Sequence, residues 1–292
     1  MNYLFTRPAI GYFGRQTLNS LHHGPYEIAP LDAKGFARKI EETVTLYDWE
    51  IVQAQLNLLG SHDTPRFLTM VGEDASALRL ATLCQMTLPG APTIYYGDEL
   101  GLVGPVGRDG SGWQDDPYNR QPFPWLDETG TPYYPHLLQQ DRYNFDSLLG
   151  LYTNLAGMRI AAPSLRTGDF RPLLVDDANN VYAFGRKMAD NSDASLVIVN
   201  RANSAQTVVV DVSGYFAEGT TFQDAYSGQN FTVTGGAITM PDLPARGGAL
   251  MALNGSMAAS PAAVTDLAVT AEGSGSINLA WTAASGATSY DL

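Results

Sequence analysis

The sequence predicts an α/β fold built from parallel β/α units with an all-β module behind it, and three observations carry this. Up to about residue 100, helical periodicity alternates with short apolar runs that each end in a polar loop. After Thr167 the texture changes to short β-rich runs separated by Gly, Asn and Asp. A small-residue stretch, "NGSMAASPAAVTD", then sets off the last residues.

The elements follow in chain order. "DAKGFARKIEETVTLY", Asp32 to Tyr47, places Phe36, Ile40, Val44 and Tyr47 on one helical face with Asp32 available as N-cap. "LNLLG", Leu56 to Gly60, is an apolar run closed by Gly and followed by turn formers, so it reads as a buried strand. "DASALRLATLCQMTL", Asp74 to Leu88, puts Leu80, Cys84 and Leu88 on one stripe, and Pro89-Gly90 stops it. A short strand follows in "APTIYYG". The stretch from Gly101 to Pro135 opens with the Gly-rich "GLVGPVGRDGSG", and so long a loop in a compact domain is more often functional than idle. A helix is expected over Asn144 to Ile160 with Phe145, Leu148, Leu149, Tyr152 and Leu155 inward. The β runs after it are "VYAFGRK", "ASLVIVNRA", "QTVVVDVS", "TTFQDAYSG", "QNFTVTGGAITM" and "GGALMAL". The last residues read as two or three strands with an inward Trp281.

Composition narrows the partners. The chain has 292 residues, 45% hydrophobic and only 16% charged, as expected of a globular protein with a substantial core. Seventeen basic against 30 acidic residues give a net charge of −13, so a polyphosphate such as nucleic acid is repelled, whereas a neutral polymer such as a carbohydrate is indifferent to that field. No run approaches the ~18 apolar residues of a membrane span, and the N-terminus lacks the pattern of a secretion signal. The one cysteine, Cys84, sits in an apolar helical segment and reads as a small buried hydrophobe. His22-His23 has no cysteine or carboxylate at ligand spacing, so no metal site is expected. The Gly-rich loop lacks the Lys-Ser/Thr of a phosphate-binding loop and does not open into a helix. Nothing in the pattern specifies an oligomeric state.

The stretch "NLLGSHDTPRFL" sets His62 and Asp63 just past a buried strand, where β/α barrels keep their catalytic groups. On pattern alone a second reading has equal weight: Asp63 caps a helix beginning near Pro65, and His62 is a loop residue.

Together with "QMTLPGAPTIYYGDELGL" and "DDPYNRQPFPW", in that order, this stretch resembles the C-terminal part of the catalytic barrel of the α-amylase superfamily of glycoside hydrolases, nearest to its neopullulanase, cyclomaltodextrinase and amylopullulanase group. "MNYLFTR" is similar to that group's sixth barrel strand. The resemblance implies the C-terminal part of a (β/α)8 barrel, about strands six to eight, over residues 1–164. It further implies an antiparallel β-sandwich domain over 165–254, a linker over 255–264, and over 265–292 a segment that resembles the start of a fibronectin type III domain.

For function the resemblance implies a retaining hydrolase of α-glucosidic bonds in starch, pullulan or cyclodextrins. Asp63 would be the third catalytic carboxylate, stabilising the transition state through the sugar hydroxyls, with His62 on the same sugar. Asp116 and Arg120 match positions that contact a more distant glucose, with a structural ion pair as the plainer alternative, and Trp113 would either stack on a sugar face or cover the barrel. Asp98 and Glu99 of "YYGDE" are expected to shape the rim rather than to react.

The family places nucleophile and general acid on its fourth and fifth strands, and no segment before Asn57 offers them, so the chain is expected to be a fragment that is inactive by itself. No cofactor is expected in this segment, and any calcium would belong to the missing part. The appended module suggests an extracellular or cell-surface parent. The alternative is a non-catalytic carbohydrate-binding or assembly module in which Asp116, Arg120 and Trp113 hold glucan.

Overall fold

Asp32 accepts the Gly35 N–H at 2.7 Å and opens helix α2 (Ala33–Thr45), whose Phe36, Ala37 and Ile40 turn inward. The expected span to Tyr47 is too long: the helix stops at Thr45, and Tyr47 is exposed beyond it. Asp74 caps α5 (Ala75–Thr87) in the same way through the Ser76 and Ala77 N–H groups, and Ser147 caps α6 (Leu148–Ala161) through Gly150. The computed structural model describes residues 1–18, 28–104, 119–123, 146–253, 268–273 and 276–282.

"MNYLFTR" is not a strand. Tyr3–Phe13 forms helix α1, because Phe5, Ala9, Tyr12 and Phe13 recur at helical spacing and all are buried. Only Asn2 keeps a strand-like role, donating its N–H to Leu56 O at 2.8 Å. α1 lies on α2, where Tyr12 stacks on Phe36 at 4.6 Å between ring centroids. The other short helices are α3 (Trp49–Ala54), α4 (Phe67–Met70) and α7 (Pro163–Thr167).

Barrel-type strands are much shorter than the apolar runs predicted. β1 is Leu56–Asn57 and β2 is Ala91–Pro92, paired in parallel with Leu56 opposite Ala91. The flanking Leu58 and Leu59 are buried but lie outside the ladder, while Ile94 and Tyr96, expected within a buried strand, are exposed.

The β module has a six-stranded sheet in the order β3-β4-β5-β10-β7-β8, formed by Arg171–Asp176, Val181–Lys187, Ala194–Asn200, Gly248–Leu253, Thr221–Asp224 and Asn230–Thr232. A two-stranded sheet pairs β6 (Gln206–Asp211) with β9 (Ala237–Leu243). Side chains alternate across a strand, and here both faces of the large sheet are covered. Tyr182, Phe184, Val197 and Val199 pack on the helices, whereas Val181, Ala183, Leu196 and Ile198 share a second core with Val208, Val210, Ile238 and Met240 of the small sheet. This explains why β4 and β5 read as continuous apolar runs although the sheet is antiparallel.

Arg186 joins the two parts. Its fully buried guanidinium donates to the carbonyls of Thr87, Leu165, Gly168 and Asp169 at 2.5 to 3.2 Å. Farther along, β11 (Ala268–Gly273) and β12 (Ser276–Ala280) form an antiparallel hairpin, and Trp281 follows it half-buried. No helix among the described residues is long and apolar enough to cross a membrane.

Candidate active site

The two parallel strands point the same way, so the loops after them, residues 60–66 and 93–104, leave from one end. Asn57 fixes that end from inside: its amide donates to Pro89 O at 2.8 Å and its Oδ1 accepts from Asn2 Nδ2 at 2.8 Å. Gln85 of α5 donates to the carbonyls of Asn57 and Thr93, tying both strand ends to the helix behind them.

His62 and Asp63 occupy the first loop, side by side. His62 Nε2 stands 3.1 Å from Asp63 Oδ1, and both side chains are about half exposed, at 54% and 50%. Capping is ruled out for Asp63: α4 begins at Phe67, with Arg66 at the cap position and no side chain accepting there. Instead Asp63 is held from below. Its N–H donates to Ser61 Oγ at 3.0 Å, and the Tyr3 hydroxyl lies 2.9 Å from Ser61 Oγ and 3.4 Å from Asp63 Oδ2. The pair therefore presents carboxylate and imidazole edges to solvent on a turn whose backbone is pinned.

Asn119 does the pinning from the other side. Buried to 1% exposure, its amide donates to the carbonyls of His62 at 2.7 Å, Thr64 at 3.1 Å and Ser61 at 3.5 Å. Tyr95, on the loop after β2, donates its hydroxyl to Asn119 O at 2.8 Å, and burial, with the Tyr96 hydroxyl second, pushes its pKa up to about 12, so that proton stays in place. Arg66 completes the link. Its buried guanidinium donates to Gln121 Oε1, Tyr96 O and Asp98 Oδ1 at 3.0, 2.8 and 3.3 Å and lies over the rings of Tyr95 and Tyr96.

Asp98 is buried against Arg66, as the expected rim-shaping role requires. Arg120 is exposed next to Asn119 in the segment that approaches the His62 turn. Asp116, Trp113 and His22-His23 lie outside the described residues. Among the described residues no three His, Cys, Asp or Glu side chains gather as metal ligands. Cys84 is buried in the core, where desolvation drives its thiol pKa upward.

Sequence reasoning missed Tyr3, Ser61, Arg66 and Asn119. Arg66 carried a signal, a charged residue directly after Pro65 and before an apolar run. Tyr3 and Asn119 carried none, because each reaches its partners across more than fifty residues.

The description "Alpha amylase, catalytic domain" matches residues 1–168, more than half of the sequence. The chain belongs to the alpha-amylase family. Within that family it is 29% identical over 317 aligned positions to the amylopullulanase of Thermoanaerobacterium saccharolyticum, covering 100% of this chain and 22% of that protein. Against neopullulanase 2 of Thermoactinomyces vulgaris it is 31% identical, over 85% of this chain and 35% of that one. The solved structure of Ttha1563 from Thermus thermophilus superposes with a TM-score of 0.68 at 32% identity, covering 86% of this chain and 47% of that one. The chain thus spans about a fifth of the amylopullulanase and roughly half of the superposed structure. An alpha-amylase-type barrel fold with β-rich sheets is common to these proteins and this one.

Proposed function

We propose that the whole protein hydrolyses α-glucosidic bonds in starch, pullulan or cyclodextrins with retention, and that this chain supplies the part of the barrel that grips the sugar at the cleavage point. One observation carries the reading: in an alpha-amylase family chain, a half-exposed His62–Asp63 pair sits on a pinned turn at the strand ends. Asp63 accepts sugar hydroxyls that are drawn toward it as the ring flattens, and His62 donates to the same sugar; both interactions strengthen in the oxocarbenium-like transition state. Arg120 and Asp116 contact a glucose farther from the bond, and Trp113 stacks on a sugar face.

The nucleophile and general acid in this reading come from outside the chain, which is supported by the fraction of each relative that it spans. Exposed Leu56 and Ile94 around the short strand pair support it as well, since further barrel strands would cover them. The same reading divides the chain into part of the barrel (1–164), an antiparallel β-sandwich (165–254), a linker (255–264) and the opening of a fibronectin type III-like module (265–292). The two facing sheets around one core, and the terminal hairpin, support that division.

Expression of the complete reading frame that contains this chain, followed by reducing-sugar assays on pullulan, cyclodextrin and starch, tests the proposal. Asp63→Asn is expected to lower kcat by about 100-fold or more at nearly unchanged KM. A whole protein that leaves all three substrates intact overturns it.

A further inference from the structure

The turn between β9 and β10, the turn between β7 and β8 and one side of α5 line an open cavity of about 650 Å³ that shares no lining residue with the His62–Asp63 rim. Its size falls within the usual range of small-molecule sites, about 300 to 1,000 Å³. Three features single it out.

The backbone around it is strained. Five described non-glycine residues have positive φ, and two of them, Asp242 at 50° near the end of β9 and Arg246 at 51° in the turn that follows, line this one cavity. Aspartate tolerates the left-handed region comparatively well and arginine does not, so holding both there costs stability that the turn must recover elsewhere.

Buried polar atoms on its wall lack partners. Asp224, 1% exposed, uses Oδ2 to accept the Ser227 N–H and hydroxyl at 2.9 and 2.7 Å, but its Oδ1 has no hydrogen bond. Arg246 pairs through one terminal nitrogen with Asp74, and its Nε has none. Unmatched groups of this kind cost about 1 to 3 kcal/mol each, and a ligand that reached them would recover it.

The wall chemistry selects the ligand class. Asp146, Asp224 and Asp242 stand with Arg79 and Arg246 around one space that Tyr226 and Gln229 also line, and Arg79 donates to the carbonyls of Asp146 and Ser147. A phosphate would face the carboxylates, a metal cation would face the guanidiniums, and a purely apolar ligand would leave Asp224 Oδ1 and Arg246 Nε without partners. A neutral polyol satisfies both, donating O–H to carboxylate oxygens and accepting N–H from guanidinium, while the nearly buried Leu80, Leu83 and Met240 form an apolar floor beneath it.

We propose that this cavity is a second carbohydrate site, remote from the rim, which holds a short stretch of α-glucan between the barrel helix α5 and the β module. The choice of glucan among neutral polyols rests on the proposed function. Its effect would be to keep a polymeric substrate on the enzyme between cleavage events, since two linked sites raise the effective concentration of one chain at the other.

Titration calorimetry of the 292-residue chain with maltohexaose tests the site without requiring turnover. Saturable binding is expected. It should weaken by about fivefold or more in Gln229→Ala, which removes a hydrogen-bonding side chain, and in Asp242→Asn, which exchanges one charged acceptor oxygen for an amide donor. Gln229 is exposed and asparagine accepts a positive φ, so both variants keep the fold, which circular dichroism verifies. The double variant His62→Ala/Asp63→Asn is expected to leave the binding constant unchanged. A folded chain that shows no binding overturns the proposal, as does binding lost in the rim double variant and retained in both cavity variants, or inorganic phosphate displacing the sugar. Hydrolysis by the whole protein is read separately. Activity without cavity binding removes this site alone, and cavity binding without hydrolysis removes the proposed activity alone.

Discussion

Arg66 and Asp98 form an ion pair at 3.3 Å in which both side chains are almost completely buried, 0% and 4% exposed. Desolvation outweighs the attraction of Arg66 and lifts the Asp98 pKa from 3.8 to about 7. A carboxyl whose pKa is higher in the folded than in the unfolded state binds more protons when folded, so unfolding releases a proton between those two values. Its contribution to stability is therefore greatest below about pH 4 and is lost as pH rises through about 7.

Asp98→Asn keeps an oxygen for Arg66 and removes that titration. Urea unfolding at intervals from pH 4 to pH 8 should show the parent protein losing stability relative to the variant across this window. A constant difference between the two would mean that Asp98 remains ionised throughout.

Asn119→Ala is expected to loosen the His62–Thr64 turn without unfolding the chain. The substitution strips three carbonyl oxygens of residues 61, 62 and 64 of one shared donor and leaves a small void, a cost of about 1 to 3 kcal/mol. Hydrogen exchange at the His62–Thr64 amides should accelerate while that of α5 stays unchanged. In the whole protein kcat should fall more than KM rises, since the Asn119 side-chain amide bonds only backbone carbonyls on either side of Asp63.

Much of this arrangement was legible in the sequence, and its limits have physical causes. α5 was predicted within a residue at each end because Asp74 caps it and Leu88, followed by Pro89-Gly90, ends it. β4, β5, β6, β7 and β10 fall within the β-rich runs, with β7 covering only the first half of its run. β3 was overlooked because Pro172 and a register shift break its pattern. "MNYLFTR" is similar to a barrel strand of the family, but the helical spacing of Phe5, Ala9, Tyr12 and Phe13 decides its structure. At the site, His62 and Asp63 were visible as chemistry on a turn. Their supports Tyr3 and Asn119 were not, since no local pattern encodes a contact made across fifty or more residues.

Tyr3→Phe separates positioning from packing. The ring remains, and what is lost is the hydroxyl at 2.9 Å from Ser61 Oγ and 3.4 Å from Asp63 Oδ2. Because the group is only part-buried, stability should change by less than about 1 kcal/mol. If Tyr3 orients the carboxylate, kcat of the whole protein falls by about three- to tenfold with KM nearly constant. An unchanged kcat would show that Ser61 alone suffices.

Arg186→Leu should be the most destabilising single change in the chain's interior. The guanidinium has no carboxylate within ion-pair distance among the described residues; it is held by four carbonyls, two of them from the C-terminal ends of α7 and α5 and two from the segment that leads into β3. Those helix ends carry partial negative charge, which favours a cation there. Burial draws its pKa down only to about 9, so it remains charged at neutral pH. Leucine fills much of the volume but strands four buried acceptors, and at about 1 kcal/mol or more each the loss should reach about 4 kcal/mol or beyond. Since Thr87 lies on α5 and Arg186 on β4, the loss falls on the junction between barrel and β module. Chemical denaturation of the variant should therefore split into two transitions where the parent shows one. A single transition with an unchanged midpoint would show that the buried apolar contacts of Tyr182, Phe184 and Val197 hold the junction without Arg186.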